Sequence, residues 1–265
     1  MVFGLRQRRR RRWREQAFPP QWTEIIKRNV PYTRYLTVAE QTELHGHIQI
    51  FLHEKSFEGC GGLQITDEIR VTIAAQACVL LLNRETDYFP LMRTVLVYPS
   101  HYFASTSRRV AGGLVQQGVE ARLGESWMRG PIVLSWDDVL RGAGDPHDGH
   151  NVVFHEFAHE LDGESGAMEG APRLPKATMY TAWARVLSAE YKDLLSDLER
   201  DHRQLIDSYG ATSPAEFFAV VTEVFFEKPI QLQRHHPELY EQLHSFYQHD
   251  PASRFASGDE VGGIG

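Results

Sequence analysis

Residues 150–163 read His-Asn-Val-Val-Phe-His-Glu-Phe-Ala-His-Glu-Leu-Asp-Gly, and this stretch governs the reading of everything around it. Within it, His155-Glu156-Phe157-Ala158-His159 fits the pattern H-E-x-x-H. On an α-helix, positions four apart lie on one face about one turn apart. Two imidazoles so placed can both reach one Zn²⁺, at roughly 2.0–2.1 Å each. Glu156, beside the first of them, is then placed to take a proton from a water held by the metal. Val152, Val153, Phe154, Phe157, Ala158 and Leu161 surround these polar groups, which predicts a largely buried helix. Buried ionisable groups need a partner, and a metal supplies one. The pattern also arises by chance, but an exposed helix with two His and two Glu would not usually interleave them with Val153, Phe154, Phe157 and Leu161.

A catalytic zinc takes three protein ligands and keeps one position open. The third must come from elsewhere, because Glu160, Asp162 and Glu164 sit too close along the same helix to reach round the metal easily. Residues 214–227 read as a buried helix, with Glu216 and Glu223 seven apart on one face among Phe217, Phe218, Val220, Val221, Val224 and Phe225. Carboxylates in such surroundings are suspicious. Glu216 has a local alternative, since Ser213-Pro214-Ala215-Glu216 is itself a capping box with Pro at the first helical position. Glu223 has none, yet it can orient a ligand from behind as well as be one. Pattern alone leaves the two open.

The 265 residues, 42% of them hydrophobic, suffice for a sizeable core. Of the net charge of −7, residues 1–14 contribute seven arginines and no acid, so the remainder carries −14. An acidic body argues against a nucleic-acid groove. Residues 1–20 are expected to be a disordered Arg-rich arm, because a like-charge block cannot pack; contact with nucleic acid or anionic lipid is its functional alternative. Residues 21–250 form the expected single domain, and 251–265, rich in Gly and Ser, a disordered tail. Cys60 and Cys78 are too few for a disulfide framework. The Arg run leads into Trp13 rather than an apolar segment, and no apolar run approaches a membrane span, so the expected location is cytoplasmic with no membrane partner.

Thr37 to Glu40 is a capping box opening a helix, and Thr66 caps another over 67–83. His45, His47 and His53 read as surface or core histidines, and Cys78 as a small core residue. Residues 94–98, 114–122 and 131–136 have the character of strands, the last suited to an edge by Pro131. Such an edge beside a metal helix either binds an extended peptide or is plain core. Loops at 142–149 and 164–175 flank the metal helix, His147 and His150 reading as incidental; helices are expected at 177–202 and 237–248. The fold class is therefore α+β, mostly helical, with a small mixed sheet beside the H-E-x-x-H helix.

The metal-helix motif with Leu161-Asp162, followed by Tyr209-Gly210-Ala211-Thr212-Ser213-Pro214-Ala215-Glu216-Phe217-Phe218-Ala219, resembles the Mlc titration factor A family of bacterial zinc peptidases. Thr66-Asp67, Ala74-Ala75-Gln76-Ala77-Cys78, Gly130-Pro131-Ile132-Val133-Leu134-Ser135-Trp136 and Asp148-Gly149-His150-Asn151 extend the likeness over most of residues 20–252. The catalytic domain of anthrax lethal factor is more distantly similar around the metal site. The resemblance implies a zincin-like domain with His155, His159 and Glu216 as zinc ligands and Glu156 as general base. It also implies that Tyr209 points its hydroxyl at the developing oxyanion. Glu223 then orients a ligand, and Asp162 buttresses the end of the metal helix. The implied activity is hydrolysis of peptides, with aminopeptidase action as the narrower expectation, and the implied partner is the Mlc repressor of glucose-uptake genes; a non-catalytic protein that sequesters a repressor is the alternative. The Arg-rich arm lies outside the likeness. Glu160 stands where the resemblance leads one to expect Lys, which makes the cleft more acidic.

Overall fold

The computed structural model describes residues 2–100, 130–200 and 204–261. In chain order its elements are α1 (Val2–Arg14), α2 (Pro20–Asn29), α3 (Val38–Glu54), β1 (Ser56–Gly59), α4 (Asp67–Val79), β2 (Thr94–Tyr98), β3 (Ile132–Ser135), α5 (Trp136–Gly144) and α6 (Val152–Gly163). Then follow α7 (Tyr180–Glu199), α8 (Pro214–Glu227), α9 (Pro229–His235), α10 (Pro237–Tyr247) and α11 (Pro251–Val261). Short 3₁₀ turns cover Pro31–Tyr35, Ala177–Met179 and Ser208–Ala211. The chain is thus mostly helical α+β, and its last four helices each open on a proline, whose missing N–H the first turn does not need.

The predicted caps form. Thr37 Oγ1 accepts from Glu40 N, and the Glu40 carboxylate accepts from Thr37 N. Thr66 accepts from Ile69 N at the start of α4, which ends at Val79, short of the expected 83. Among the described residues the sheet runs β1-β2-β3 and both pairings are parallel, in place of the expected mixed sheet. Val95 and Val97 of β2 and Ile132 and Leu134 of β3 face the core, while Val133 is exposed. The third expected strand stops at Ser135, because the Ser135 side chain accepts from Asp138 N and starts α5 at Trp136. β3 is an edge of the sheet among the described residues; the strand expected at 114–122 lies outside them.

The centre of the molecule is α8, where every residue from Ala215 to Glu227 is buried. A helix buried all round belongs in a core. It packs on α6, whose Phe154 meets Phe226 at 5.1 Å between ring centroids. Three residues later, and so on an adjoining face of α6, Phe157 lies 4.8 Å from Phe89 and 5.7 Å from Phe51 of α3. Aromatic contacts to α8, to α3 and to the segment before β2 thereby fix the helix that carries the motif.

Both chain ends depart from expectation. The Arg-rich arm is the helix α1, docked on α3. Arg6, Arg10 and Arg14 recur every fourth residue and so share a face. Arg10 is buried: it grips Glu54 through Nε and Nη2 at 2.8 and 2.7 Å, reaches Asp87 Oδ1 at 2.7 Å, and lies over the Tyr88 ring. Arg14 donates to Tyr88 Oη, which also bonds His47 Nδ1. Gly46 makes room, since a Cβ there would come within 2.6 Å of Arg14 Cγ. The carboxylates that neutralise this face are supplied by α3 and the segment before β2, so a local charge count cannot see them. The tail likewise forms α11, in which Phe255 is buried and stacks on Tyr35 at 4.0 Å. One aromatic anchor outweighs the Gly- and Ser-rich composition.

Candidate metal centre

α6 is started by Asn151, whose Oδ1 accepts from Val153 N and Phe154 N. The helix so begun places His155 and His159 one turn apart on one face. From α8, Glu216 in the first turn and Glu223 two turns on approach the same face. His155 Nε2 lies 3.0 Å from Glu216 Oε2 and 3.3 Å from His159 Nε2, and His159 Nε2 is 3.2 Å from Glu216 Oε2. Among the described residues, this is the one group of three His, Cys, Asp or Glu side chains whose ligand atoms converge closely enough to hold a metal ion. The triangle fits the ion: the edge of a tetrahedron with bonds of roughly 2.0–2.1 Å is about 3.3–3.4 Å. Two nitrogens and a carboxylate oxygen are also a suitable donor set for Zn²⁺.

Only half of the capping box forms at α8. The Ser213 side chain accepts from Glu216 N at 3.2 Å, while the Glu216 carboxylate faces the imidazoles rather than turning back to the cap. Glu223 sits on the other side of the His155 ring, its Oε1 2.7 Å from Nδ1. Glu223 accepts a hydrogen bond from Nδ1–H, which leaves the Nε2 lone pair pointing into the triangle. Glu223 in turn accepts from Asn151 N through Oε2, and Asn151 Nδ2 donates to Glu227 Oε1 at 3.0 Å and to Gly142 O. Burial holds the Glu227 carboxyl well above the usual carboxylate range. A neutral carboxyl beside Glu223 avoids two like charges on adjacent turns.

Neither Asn151 nor Glu227 was singled out for the site from sequence. Asn151, standing just before the apolar run of α6, carried a readable N-cap signal. Glu227 lies four residues beyond Glu223 on a helix buried all round, which is the signal that could have found it. Asn151→Ala is expected to lower stability by about 1–2 kcal/mol through the lost cap. It should also weaken metal binding roughly tenfold to a hundredfold by loosening Glu223. Thermal unfolding and competition with a chromophoric chelator measure the two effects.

Without a cation, protons carry the electrostatics of this cluster. Burial works against the charged form of His155, but hydrogen bonds to Glu216 and Glu223 outweigh it and push the imidazole up to about 10. Burial similarly disfavours an ionised Glu216, yet its bonds to His155 and His159 bring it down to about 2. Glu156, half-buried on α6, is raised by burial against the pull of both imidazoles. Tyr209 is 52% exposed, with its ring centroid 5.9 Å from that of His155. Asp207, accepting from Tyr209 N at 2.7 Å, and Tyr191, donating to Ala211 O at 3.0 Å, fix the 3₁₀ turn that carries it.

Asp162 is fully buried at the end of α6, where its Oδ2 accepts from Gly170 N at 2.8 Å; burial moves its carboxyl up to about 6. Gly170 is required there, with φ of +72° and room for no Cβ, which would meet Pro214 O at 2.4 Å. Asp162 thus ties the end of α6 to the start of α8. His159 Nδ1 and Asp162 Oδ1 are both buried without a hydrogen-bond partner. Glu160 is raised to about 7 by burial, against the nearby charge of Lys55. Four histidines noted from the sequence have partners of their own: His147 bonds Tyr35 Oη, His47 bonds Tyr88 and Glu43, His45 stacks on Phe18, and His53 bonds Gln49 O.

Two imidazoles and a carboxylate converging beside a further helix-borne carboxylate is the arrangement metal-dependent hydrolases use. Residues 5–248 match the sequence profile of the glucose-regulated metallo-peptidase M90 family, and the chain belongs to that family of metallopeptidases. It is 42% identical over 245 residues to an uncharacterized protein of Synechocystis sp., covering 90% of this chain and 89% of that one. Mlc titration factor A of Serratia proteamaculans is 32% identical over 239 residues, 88% of each chain. Mlc titration factor A of Escherichia coli O1:K1 is 31% identical over 245 residues, 91% of this chain and 90% of that one.

Proposed function

We propose that this chain is a zinc-dependent peptidase in which His155, His159 and Glu216 hold the metal. The observation that carries this reading is the closed triangle of Nε2, Nε2 and Oε2 atoms, 3.0–3.3 Å on each edge, with Glu156 on the same helix. When bound there, zinc would supply Lewis-acid polarisation of the scissile carbonyl and lower the pKa of a coordinated water. The chain's own groups do the rest. Glu223 holds the His155 ring in the tautomer and direction that binding needs. Glu156, its proton affinity raised towards the working range, takes the proton of the attacking water and hands it to the leaving amine. Tyr209, at the exposed side of the triangle, donates its hydroxyl to the oxygen that gains charge. Asp162 keeps α6 and α8 in register at one end, as Asn151 does at the other.

The test is digestion of a mixed peptide library by zinc-loaded protein, by chelated protein and by Tyr209→Phe. Cleavage by the loaded wild type alone supports the reading, and loss of residues from the amino end marks an aminopeptidase. Tyr209→Phe should lower kcat roughly a hundredfold, the effect of losing one oxyanion donor, with metal affinity unchanged. Silence from the loaded wild type overturns it. The name Mlc titration factor A borne by relatives supports a second reading, in which the protein also binds a repressor of the Mlc type. Tight repressor binding without peptide cleavage would make sequestration its function. The free thiols of Cys60 and Cys78 suit a reducing, cytoplasmic compartment.

Metal binding should depend on pH in one direction. With His155 pushed up to about 10, its imidazole carries a proton throughout the neutral range, and a metal must displace it. Apparent affinity should therefore rise about tenfold per pH unit between roughly pH 6 and 8. Titrations in non-coordinating buffers, with protons released counted by calorimetry, check the slope; a flat profile contradicts the assigned protonation.

A further inference from the structure

We propose that the outward face of α1 is a docking surface for anionic lipid bilayers. The helix has two sides with different fates. Arg6 and Arg10 are spent on Glu54 and Asp87, and Arg14 on Tyr88. Arg8, Arg9, Arg11 and Arg12 are exposed, and among the described residues Arg8, Arg11 and Arg12 have no ion pair or hydrogen bond, while Arg9 lies over the Trp13 ring. Arg8 and Arg12 are one turn apart, and Arg11 is three residues from Arg8, so like charges crowd this side and weaken the helix. Docking of the inward face holds them in place. Four guanidiniums presented within five residues on an otherwise acidic chain call for a dense array of phosphates.

Leu5 distinguishes a bilayer from a nucleic acid. It is 64% exposed, and it stands three, four and seven residues before Arg8, Arg9 and Arg12, on the same side of the helix. In sequence it closes the apolar run Met-Val-Phe-Gly-Leu. A bilayer interface takes apolar side chains into the acyl boundary while adjacent arginines reach the headgroup phosphates. A duplex backbone offers charge but no apolar layer to receive Leu5. Among the described residues no helix is long and apolar enough to cross a membrane, so the contact is peripheral.

The full-length chain should be sedimented with vesicles of phosphatidylcholine alone and with vesicles containing about a third phosphatidylglycerol, near the ionic strength of 0.1 M at which charges are screened beyond about 10 Å. Binding is expected to the anionic vesicles only, and to weaken with added salt. Replacing Arg8, Arg9, Arg11 and Arg12 with Gln should lower the partition roughly fivefold per arginine, and Leu5→Asp should weaken it further. Because Arg6, Arg10 and Arg14 are kept, the melting temperature should stay with the wild type; if the quadruple variant fails to fold, the pair Arg8→Gln and Arg12→Gln gives the same comparison. Failure to bind anionic vesicles, or equal binding by the variants, overturns the proposal. So does tighter, arginine-dependent binding to a 20-base-pair duplex under the same conditions.

Discussion

Glu156→Gln is expected to bind metal as the wild type does and to cleave peptides at least a hundredfold to ten-thousandfold more slowly. The side chain keeps its size and its place on α6 between the two imidazoles, so the triangle of His155, His159 and Glu216 is undisturbed. What it loses is the ability to accept a proton. Burial raises the Glu156 carboxyl, which strengthens it as a proton acceptor, and it is this acceptor that the substitution removes. Measuring kcat on a fluorogenic peptide beside metal content separates the two properties. Undiminished turnover would remove Glu156 as the base and shift that role to another group.

Glu216→Ala is expected to lower metal affinity on the order of a thousandfold, since three protein ligands share a binding free energy of about 10 kcal/mol or more. The substitution also leaves His155 Nε2 and His159 Nε2 3.3 Å apart with no carboxylate between them. Two lone pairs at that distance repel, and a proton shared between them is no longer held by a nearby negative charge. The His155 imidazole should therefore titrate lower than in the wild type, the direction set by removing one of the hydrogen bonds that raise it. Dialysis against chelator followed by competition titration reads the affinity, and NMR of the imidazole protons reads the titration. Glu223→Ala provides the contrast: it should weaken binding by only tenfold to a hundredfold, because Glu223 acts from behind the ring. If Glu223→Ala removed the metal and Glu216→Ala did not, the two carboxylates would have to exchange roles.

Much of this arrangement is legible in the chain itself, for identifiable reasons. α6 could be read because apolar residues enclose an H-E-x-x-H pattern. α8 could be read to its last residue because Ser213-Pro214 opens it and a buried apolar run follows. The choice between Glu216 and Glu223 could not be made from spacing, since both lie on one face. It needs the three-dimensional arrangement: the Glu216 carboxylate faces Nε2 of both imidazoles, while Glu223 meets Nδ1 of His155 from behind. Other features depend on partners distant in sequence. The docking of α1 needs Glu54 and Asp87, and the order of α11 needs Tyr35. β1 has only one large apolar residue, Phe57, in four, and its short exposed strand carries little signal of its own.

The clasp that Arg10 makes on Glu54 and Asp87 bears on the order in which the chain matures. α1 is synthesised before its anchors, which lie 44 and 77 residues downstream of Arg10. Until α3 and the segment before β2 have come together, the seven arginines of residues 1–14 have nothing to neutralise them and repel one another. Long-range closure of this kind comes late, after local helices and their nearest neighbours have formed. A segment made ahead of its anchors is thus among the last to settle, and its docking reports that the core beneath it is already built.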